Sequence, residues 1–116
     1  MKGNTYVFND HIDCKTSNVV YGIRCDKCSQ LLYVGETGNT VYVRFQNHLT
    51  AIRQDKNGHI SNHFNDPSHK MEDLKIVGIE KIKINDTYLR KIRETFWIKK
   101  METFKAPGCN SNLGSG

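Results

Sequence analysis

Tyr21 and Tyr33 bracket a Cys25-Asp26-Lys27-Cys28 turn, and Arg44 and His48 follow, four residues apart. Phenols and an imidazole can pass a proton between an attacking water and solvent, and a guanidinium fork matches two oxygens of a phosphate. A carboxylate arrives much later. Glu94, Trp97, Ile98 and Met101 fall at i, i+3, i+4 and i+7, so Glu94 opens a stripe of helix otherwise made of apolar side chains. A charge on such a face needs an arginine, a hydrogen-bond network or a divalent cation. Each group has a plain alternative: an ordinary surface pair between Glu94 and Arg90, a solvated helix face for Arg44 and His48, core packing with a wet hydroxyl tip for the tyrosines. Their occurrence together, in this order, favours phosphodiester chemistry.

The cysteines and histidines form a second set. Cys25-X-X-Cys28 at a turn presents two thiolates to one ion, and zinc prefers four such ligands in a closed structural site. His59, His63 and His69 come next in the chain, and Cys14 is a further thiol. An ion held here would tie a short helix and its loop to the first hairpin and add folding energy without touching a phosphate. The competing reading is a reduced or redox-active thiol pair beside surface histidines. Cys109 is assigned to neither set.

These groups need elements to position them. Val19, Tyr21 and Ile23 alternate with Val20, Gly22 and Arg24, and Leu31, Tyr33 and Gly35 with Leu32, Val34 and Glu36, the period of two expected of strands. A hairpin turn centred on Lys27 sets Tyr21 opposite Tyr33 with both phenols on one face. From Thr40 to about Arg53 the pattern is helical, with Val41, Phe45, Leu49 and Ile52 as the apolar stripe and Thr40 or Asn39 as cap. A short helix is expected from Ile60 to about Asn65, ended by Asp66 and Pro67, then a third strand from Leu74 to about Ile82. A last helix follows Asn85-Asp86-Thr87 and runs to about Phe104, before Pro107 and Gly108. The fold class is therefore α/β (α+β), a small three-stranded antiparallel sheet flanked by about three helices. Residues 1–17 form a polar lead-in, 18–110 the domain, and 111–116 a flexible tail.

Bulk properties agree with one basic domain. The chain has 116 residues, with Lys+Arg 17 against Asp+Glu 12, a formal net charge of +5 and a pI near 9.1. That excess favours an anionic partner such as nucleic acid. Lys and Arg gather at Arg90, Lys91, Arg93, Lys99 and Lys100, and at Arg53 and Lys56, where they could meet a DNA backbone. No stretch looks like a base-reading helix. No apolar run approaches the roughly 20 residues of a membrane span, and the start of the chain has no secretion-signal core, so an intracellular protein is expected.

The ordered set resembles the GIY-YIG nuclease domain, and within that group the endonuclease of Penelope-like retroelements. The residues that carry the resemblance are Val19-Val20-Tyr21, Tyr33-Val34-Gly35-Glu36-Thr37, Arg44, His48, Glu94 and Asn110. One position departs from the pattern: Val19 stands where the first triplet usually has glycine, a backbone position rather than a reacting group. The resemblance implies that Glu94 holds one Mg2+ or Mn2+, that Tyr21 helps deprotonate water with His48 or metal hydroxide, that Arg44 neutralises phosphorane charge, that Tyr33 positions water or phosphate, and that Asn110 belongs to the site. It favours His63 and His69 as partners of Cys25 and Cys28 around zinc, with Cys14 or His59 as substitutes. It further implies DNA as substrate, nicking that leaves a 3′-hydroxyl to prime reverse transcription, a reverse-transcriptase portion in a larger polypeptide, and a nuclear setting. The rival is a zinc-stabilised nucleic-acid-binding or interaction module without catalysis.

Overall fold

The computed structural model describes residues 6–7, 12–54, 58–105 and 108–110. In chain order the elements are β1 (Tyr6–Val7), β2 (Ser17–Cys25), β3 (Gln30–Thr40), α1 (Val41–Arg53), α2 (His59–Asn65), a 3₁₀ turn (Met71–Asp73), β4 (Leu74–Lys81) and α3 (Thr87–Met101). The sheet order is β1-β4-β2-β3. Three strands, β4, β2 and β3, are antiparallel as expected, and the two-residue β1 of the lead-in adds a parallel contact to β4 at Ile76 and Val77.

β2 is the central antiparallel strand, and its sequence shows why. Val19, Val20, Tyr21, Ile23 and Cys25 are all fully buried, because a strand covered on both faces needs apolar side chains on both. Val19, Tyr21 and Ile23 pack with Val41, Phe45 and Ile52 of α1 and Phe64 of α2, whereas Val20 and Val34 pack with Ile98 of α3 and Ile82. Helices α1 and α2 thus cover one face and α3 the other.

The hairpin register differs from the expected one. Tyr21 pairs with Gly35, and Tyr33 pairs with Ile23, with a shift between Ile23 and Arg24. The turn closes through Ser29 in a left-handed conformation (φ 54°). The slip amounts to two residues, and an even slip leaves every side chain on its original face. Both phenols therefore still leave the same side. The slip also matters sterically, since a Cβ on Gly35 would lie 2.6 Å from the Tyr21 hydroxyl and 2.8 Å from the Tyr33 ring.

Helix α1 begins where expected: Thr40 caps it, its hydroxyl accepting from the Val43 amide at 3.2 Å. Asp86 caps α3 in the same way, accepting from the Tyr88 and Leu89 amides. Helix α3 stops at Met101, three residues short of Phe104, because Glu102 turns left-handed (φ 56°). The chain then returns to the outer strand. Asn110 lies flat along β3, accepting from the Val34 amide at 2.9 Å and donating to the Val34 carbonyl at 3.0 Å, while the Cys109 amide donates to the Leu32 carbonyl at 2.6 Å. An edge strand otherwise exposes such groups, and here a side-chain amide closes them.

Candidate active site and metal centre

Three side chains of the α1 face meet at one point. The Tyr21 hydroxyl receives a hydrogen bond from Arg44 Nε at 3.0 Å and lies 2.7 Å from His48 Nε2. Since arginine can only donate, the phenol proton is turned toward His48 or the neighbouring Tyr33 hydroxyl; in the 2.7 Å contact to His48, Nε2 accepts and Nδ1 carries the ring proton. Tyr33 completes the group, its ring centroid 6.2 Å from that of Tyr21 and 5.5 Å from that of His48. Arg44 and His48 share a helix face because they are four residues apart, and that face looks onto the phenols, not into solvent.

The site is set up in neutral form. Burial pushes the Tyr21 phenol well above its usual value of 10.0, with the neighbouring Tyr33 adding and Arg44 opposing. Burial also holds His48 down to about 4, and the positive charge of Arg44 acts in the same direction. At neutral pH the imidazole is an unprotonated acceptor next to a protonated phenol.

Glu94 approaches from α3. It is 0% exposed and no side chain hydrogen-bonds to either of its oxygens; the Glu36 backbone amide faces the carboxylate and helps lower its pKa, and every other fully buried side-chain polar atom among the described residues has a well-formed partner. Its nearest ionic partner is Lys91 Nζ, 4.0 Å from Oε1. Burial raises its carboxyl above the ordinary range, Lys91 and Arg44 pull the other way, and the charge of Glu94 in turn raises Tyr33. The acid thus shares an electrostatic neighbourhood with Arg44 and Tyr33 at the outer edge of the sheet. The expected apolar stripe beside it holds at Ile98, which is fully buried, but Met101 is 43% exposed.

The plain alternative for Glu94 fails, because Arg90 turns away from it. Arg90 is buried and donates to Glu36 Oε1 at 2.7 Å, to Asn18 and Asn85 at 2.7 Å each, and to Thr87 at 2.9 Å. That also removes Arg90 from the candidate DNA contacts. Arg93 is committed as well, to Glu80 at 2.8 Å and over the Phe96 ring. Arg53, Lys99 and Lys100 are exposed, and Lys56 lies outside the described residues. Asn110 touches none of Tyr21, Arg44, His48 or Glu94 through the hydrogen bonds it makes; its partners are Val34 and Thr103. It therefore positions β3, the strand that carries Tyr33. Glu36 and Lys91 are the charged neighbours of Glu94 that periodicity did not single out, because their pairing joins β3 to α3.

The second set gathers beneath the hairpin turn. The ligand atoms of Cys25, Cys28, His63 and His69 all lie within 4.8 Å of one another, and neither Cys14 nor His59 belongs to that group. Cys28 Sγ is 3.7 Å from His63 Nε2 and 3.4 Å from His69 Nε2. In a tetrahedral site with ordinary Zn–S and Zn–N bonds, sulfur and nitrogen lie about 3.6 Å apart. The four donors fit that ion. The Ser68 hydroxyl lies 3.1 Å from His69 Nδ1 and orients the ring, as outer partners of metal-bound histidines do. Lys27 reaches the Ser68 carbonyl from the hairpin turn, tying turn to loop. The four cysteines make no disulfide. Cys109 is buried near this set; burial first, then the charges of Cys25 and Cys28, push its thiol up to about 11.

Comparison with known proteins agrees with this geometry. The model of the GIY-YIG catalytic domain matches residues 17–106, so the chain belongs to the GIY-YIG family and is by class a DNA endonuclease domain. Among solved structures, the catalytic domain of the homing endonuclease I-TevI superposes with a TM-score of 0.66 at 22% identity, covering 81% of this chain and 97% of that one. At that identity the likeness is one of fold. No curated protein matches the chain.

Proposed function

We propose that this domain nicks DNA by metal-assisted hydrolysis and that its zinc is structural. The observation that carries the proposal is the Glu94 carboxylate, fully buried with no side-chain hydrogen bond and within the field of Arg44, which also holds Tyr21 in the chain to His48. A buried carboxylate with no side-chain hydrogen bond is suited to a hard divalent cation, Mg2+ or Mn2+, which Glu94 would hold. Such an ion would supply Lewis-acid neutralisation of the charge growing on the phosphoryl oxygens.

The remaining work falls to side chains. Arg44 holds a non-bridging phosphate oxygen with the part of its guanidinium not engaged by Tyr21 and Tyr33. Tyr33 borders the space where water and phosphate meet. A tyrosinate is costly in this buried site, so the proton moves in relay: water gives its proton to the Tyr21 oxygen as the phenol proton passes to His48 Nε2. The new bond joins water oxygen to phosphorus, the P–O3′ bond breaks, and the departing 3′ oxygen takes a proton from solvent, leaving a 3′-hydroxyl and a 5′-phosphate. Protonation of His48 is disfavoured in the free protein, and the negative phosphodiester docked on Arg44 offsets that penalty.

Zinc held by Cys25, Cys28, His63 and His69 pins α2 and its loop against the β2–β3 turn. A site of this kind inside a domain with the Tyr33-Val34-Gly35-Glu36-Thr37 segment supports a Penelope-like retroelement endonuclease, acting in the nucleus. The 3′-hydroxyl then primes a reverse transcriptase carried elsewhere in the polypeptide.

The test is nicking of supercoiled plasmid, with and without Mg2+, by the parent and by Glu94→Ala. The expected result is Mg2+-dependent nicking that falls at least about a hundredfold in the variant, as losses of catalytic charge stabilisation do, with melting temperature and DNA binding retained. DNA binding without nicking by the zinc-loaded parent at any Mg2+ or Mn2+ concentration would instead establish a non-cleaving binding module.

A further inference from the structure

Four charges of alternating sign run from the interior to the proposed cation site. Arg90 Nε meets Glu36 Oε1 at 2.7 Å, Lys91 Nζ meets Glu36 Oε2 at 3.1 Å, and the same Nζ stops 4.0 Å from Glu94 Oε1. Arg90 and Glu36 are nearly buried, at 8% and 12% side-chain exposure, whereas Lys91 is 45% exposed and reaches Glu36 on a long flexible stem. Lys91 and Glu94 are three residues apart on one helix, a spacing at which an ammonium and a carboxylate ordinarily close to contact. They do not close here. Glu36, fixed by Arg90, holds the ammonium at hydrogen-bond distance, so Glu94 keeps only the long 4.0 Å ion pair with it and the Glu36 backbone amide.

We infer that Glu36 is a positioning residue for the cation site: by anchoring Lys91 it keeps an internal ammonium from occupying Glu94 in place of the divalent ion. The inference rests on the reading of Glu94 as the cation's ligand. The geometry at Glu36 suits this role. Its two oxygens face two different cations, one buried and rigid, the other mobile, so the carboxylate is fixed by Arg90 and remains available to Lys91. Arg90 is in turn held by Asn18, Asn85 and Thr87, and Gly38 gives it room, since a Cβ there would lie 2.9 Å from Arg90 Nη2. Lysine is suited to the competing role because its ammonium is a compact point charge on a flexible stem. Released from Glu36, it would sit on Glu94 and compete with the ion.

The experiment measures Mn2+ affinity of the zinc-replete protein by electron paramagnetic resonance, without DNA, in the parent, Glu36→Gln, Lys91→Met and the double variant. Glutamine keeps an oxygen to accept from Arg90, so the core contact survives. The expected result is a Kd raised about five- to tenfold by Glu36→Gln, from gain of a direct ammonium–carboxylate contact, and no effect of the same substitution when Lys91 is already methionine. A Glu36→Gln effect of equal size in the Lys91→Met background would overturn the inference, since Glu36 would then act through its own field. So would an unchanged Kd in Glu36→Gln. If Glu36→Gln does not fold, Glu36→Asp decides in the same two backgrounds: it keeps the negative charge but draws the carboxylate back from Lys91, so the Mn2+ Kd must rise where Lys91 is present and not where it is methionine, and an unchanged Kd sinks the inference. Glu94→Ala separates the two levels. If it leaves Mn2+ affinity intact, the reading of Glu94 as ligand fails and this inference falls with it; if it abolishes binding while Glu36→Gln does nothing, only the inference fails.

Discussion

The Tyr21 hydroxyl lies 2.7 Å from His48 Nε2 and bridges it to Arg44 Nε at 3.0 Å. A phenol from the central strand thereby stands between a permanent cation and a neutral imidazole, and its proton is turned away from the guanidinium, toward His48 and the neighbouring Tyr33 hydroxyl. Nothing in the sequence adjacent to any of the three fixes this order of donors. It follows from arginine having no acceptor.

Tyr21→Phe keeps the ring that fills the core and removes only the oxygen. Plasmid nicking is expected to fall by about a hundredfold or more, the scale of lost general acid–base catalysis. Because Arg44 Nε and His48 Nε2 lose a shared partner, urea unfolding should show a cost of about 1–3 kcal/mol. Nicking equal to the parent would remove the relay from the mechanism.

His48 gives a stability profile with a defined sign. Its folded pKa, about 4, lies below the unfolded value of 6.5, so the unfolded chain binds the proton first. The stabilising effect of keeping His48 neutral is whole above pH 6.5 and is lost as pH falls toward 4, worth at most about 3 kcal/mol. The difference in urea stability between the parent and His48→Gln should therefore shrink between pH 7 and pH 4. A difference that stays constant over this range would contradict the buried neutral imidazole.

Replacement of Cys25 and Cys28 by serine should remove bound zinc and stability together. The expected loss is several kcal/mol, since metal binding to a site of this kind is folding free energy. Calorimetry beside metal analysis by mass spectrometry measures both. Parent protein that contains no zinc, or double-serine protein with unchanged melting, would discard the structural ion.

Asn110→Ala should behave as a structural lesion. It leaves the Val34 amide and carbonyl and the Thr103 hydroxyl without their present partner, a cost of about 2–4 kcal/mol. Nicking per folded molecule should stay within a few-fold of the parent at a temperature where both are folded. A loss of a hundredfold with the fold intact would show that Asn110 serves the reaction directly.

Much of the site was legible because it depends on short-range periods. The two-residue period of 19–24 and 31–36 put both phenols on one face, and that conclusion survived a register that slipped from Tyr21 opposite Tyr33 to Tyr21 opposite Gly35. The helical period made Arg44 and His48 neighbours. The same period placed Glu94 on an inward face, and the Cys25-X-X-Cys28 turn announced paired thiols. These features are fixed by backbone geometry within a few residues, so the order of amino acids suffices to state them.

The tertiary structure decided which distant groups became partners. Arg90, one turn from Glu94, was the natural local choice for pairing, yet it is committed to Glu36, 54 residues away. Asn110, whose segment has no regular period, found its role only when the chain folded back along Val34. Pairing across such separations depends on which faces pack together and how much water they exclude. The sequence determined the chemical groups and the faces they occupy; packing of α3 across the edge of the sheet determined that Glu94 would have no side-chain hydrogen bond, with Lys91 held 4.0 Å from it.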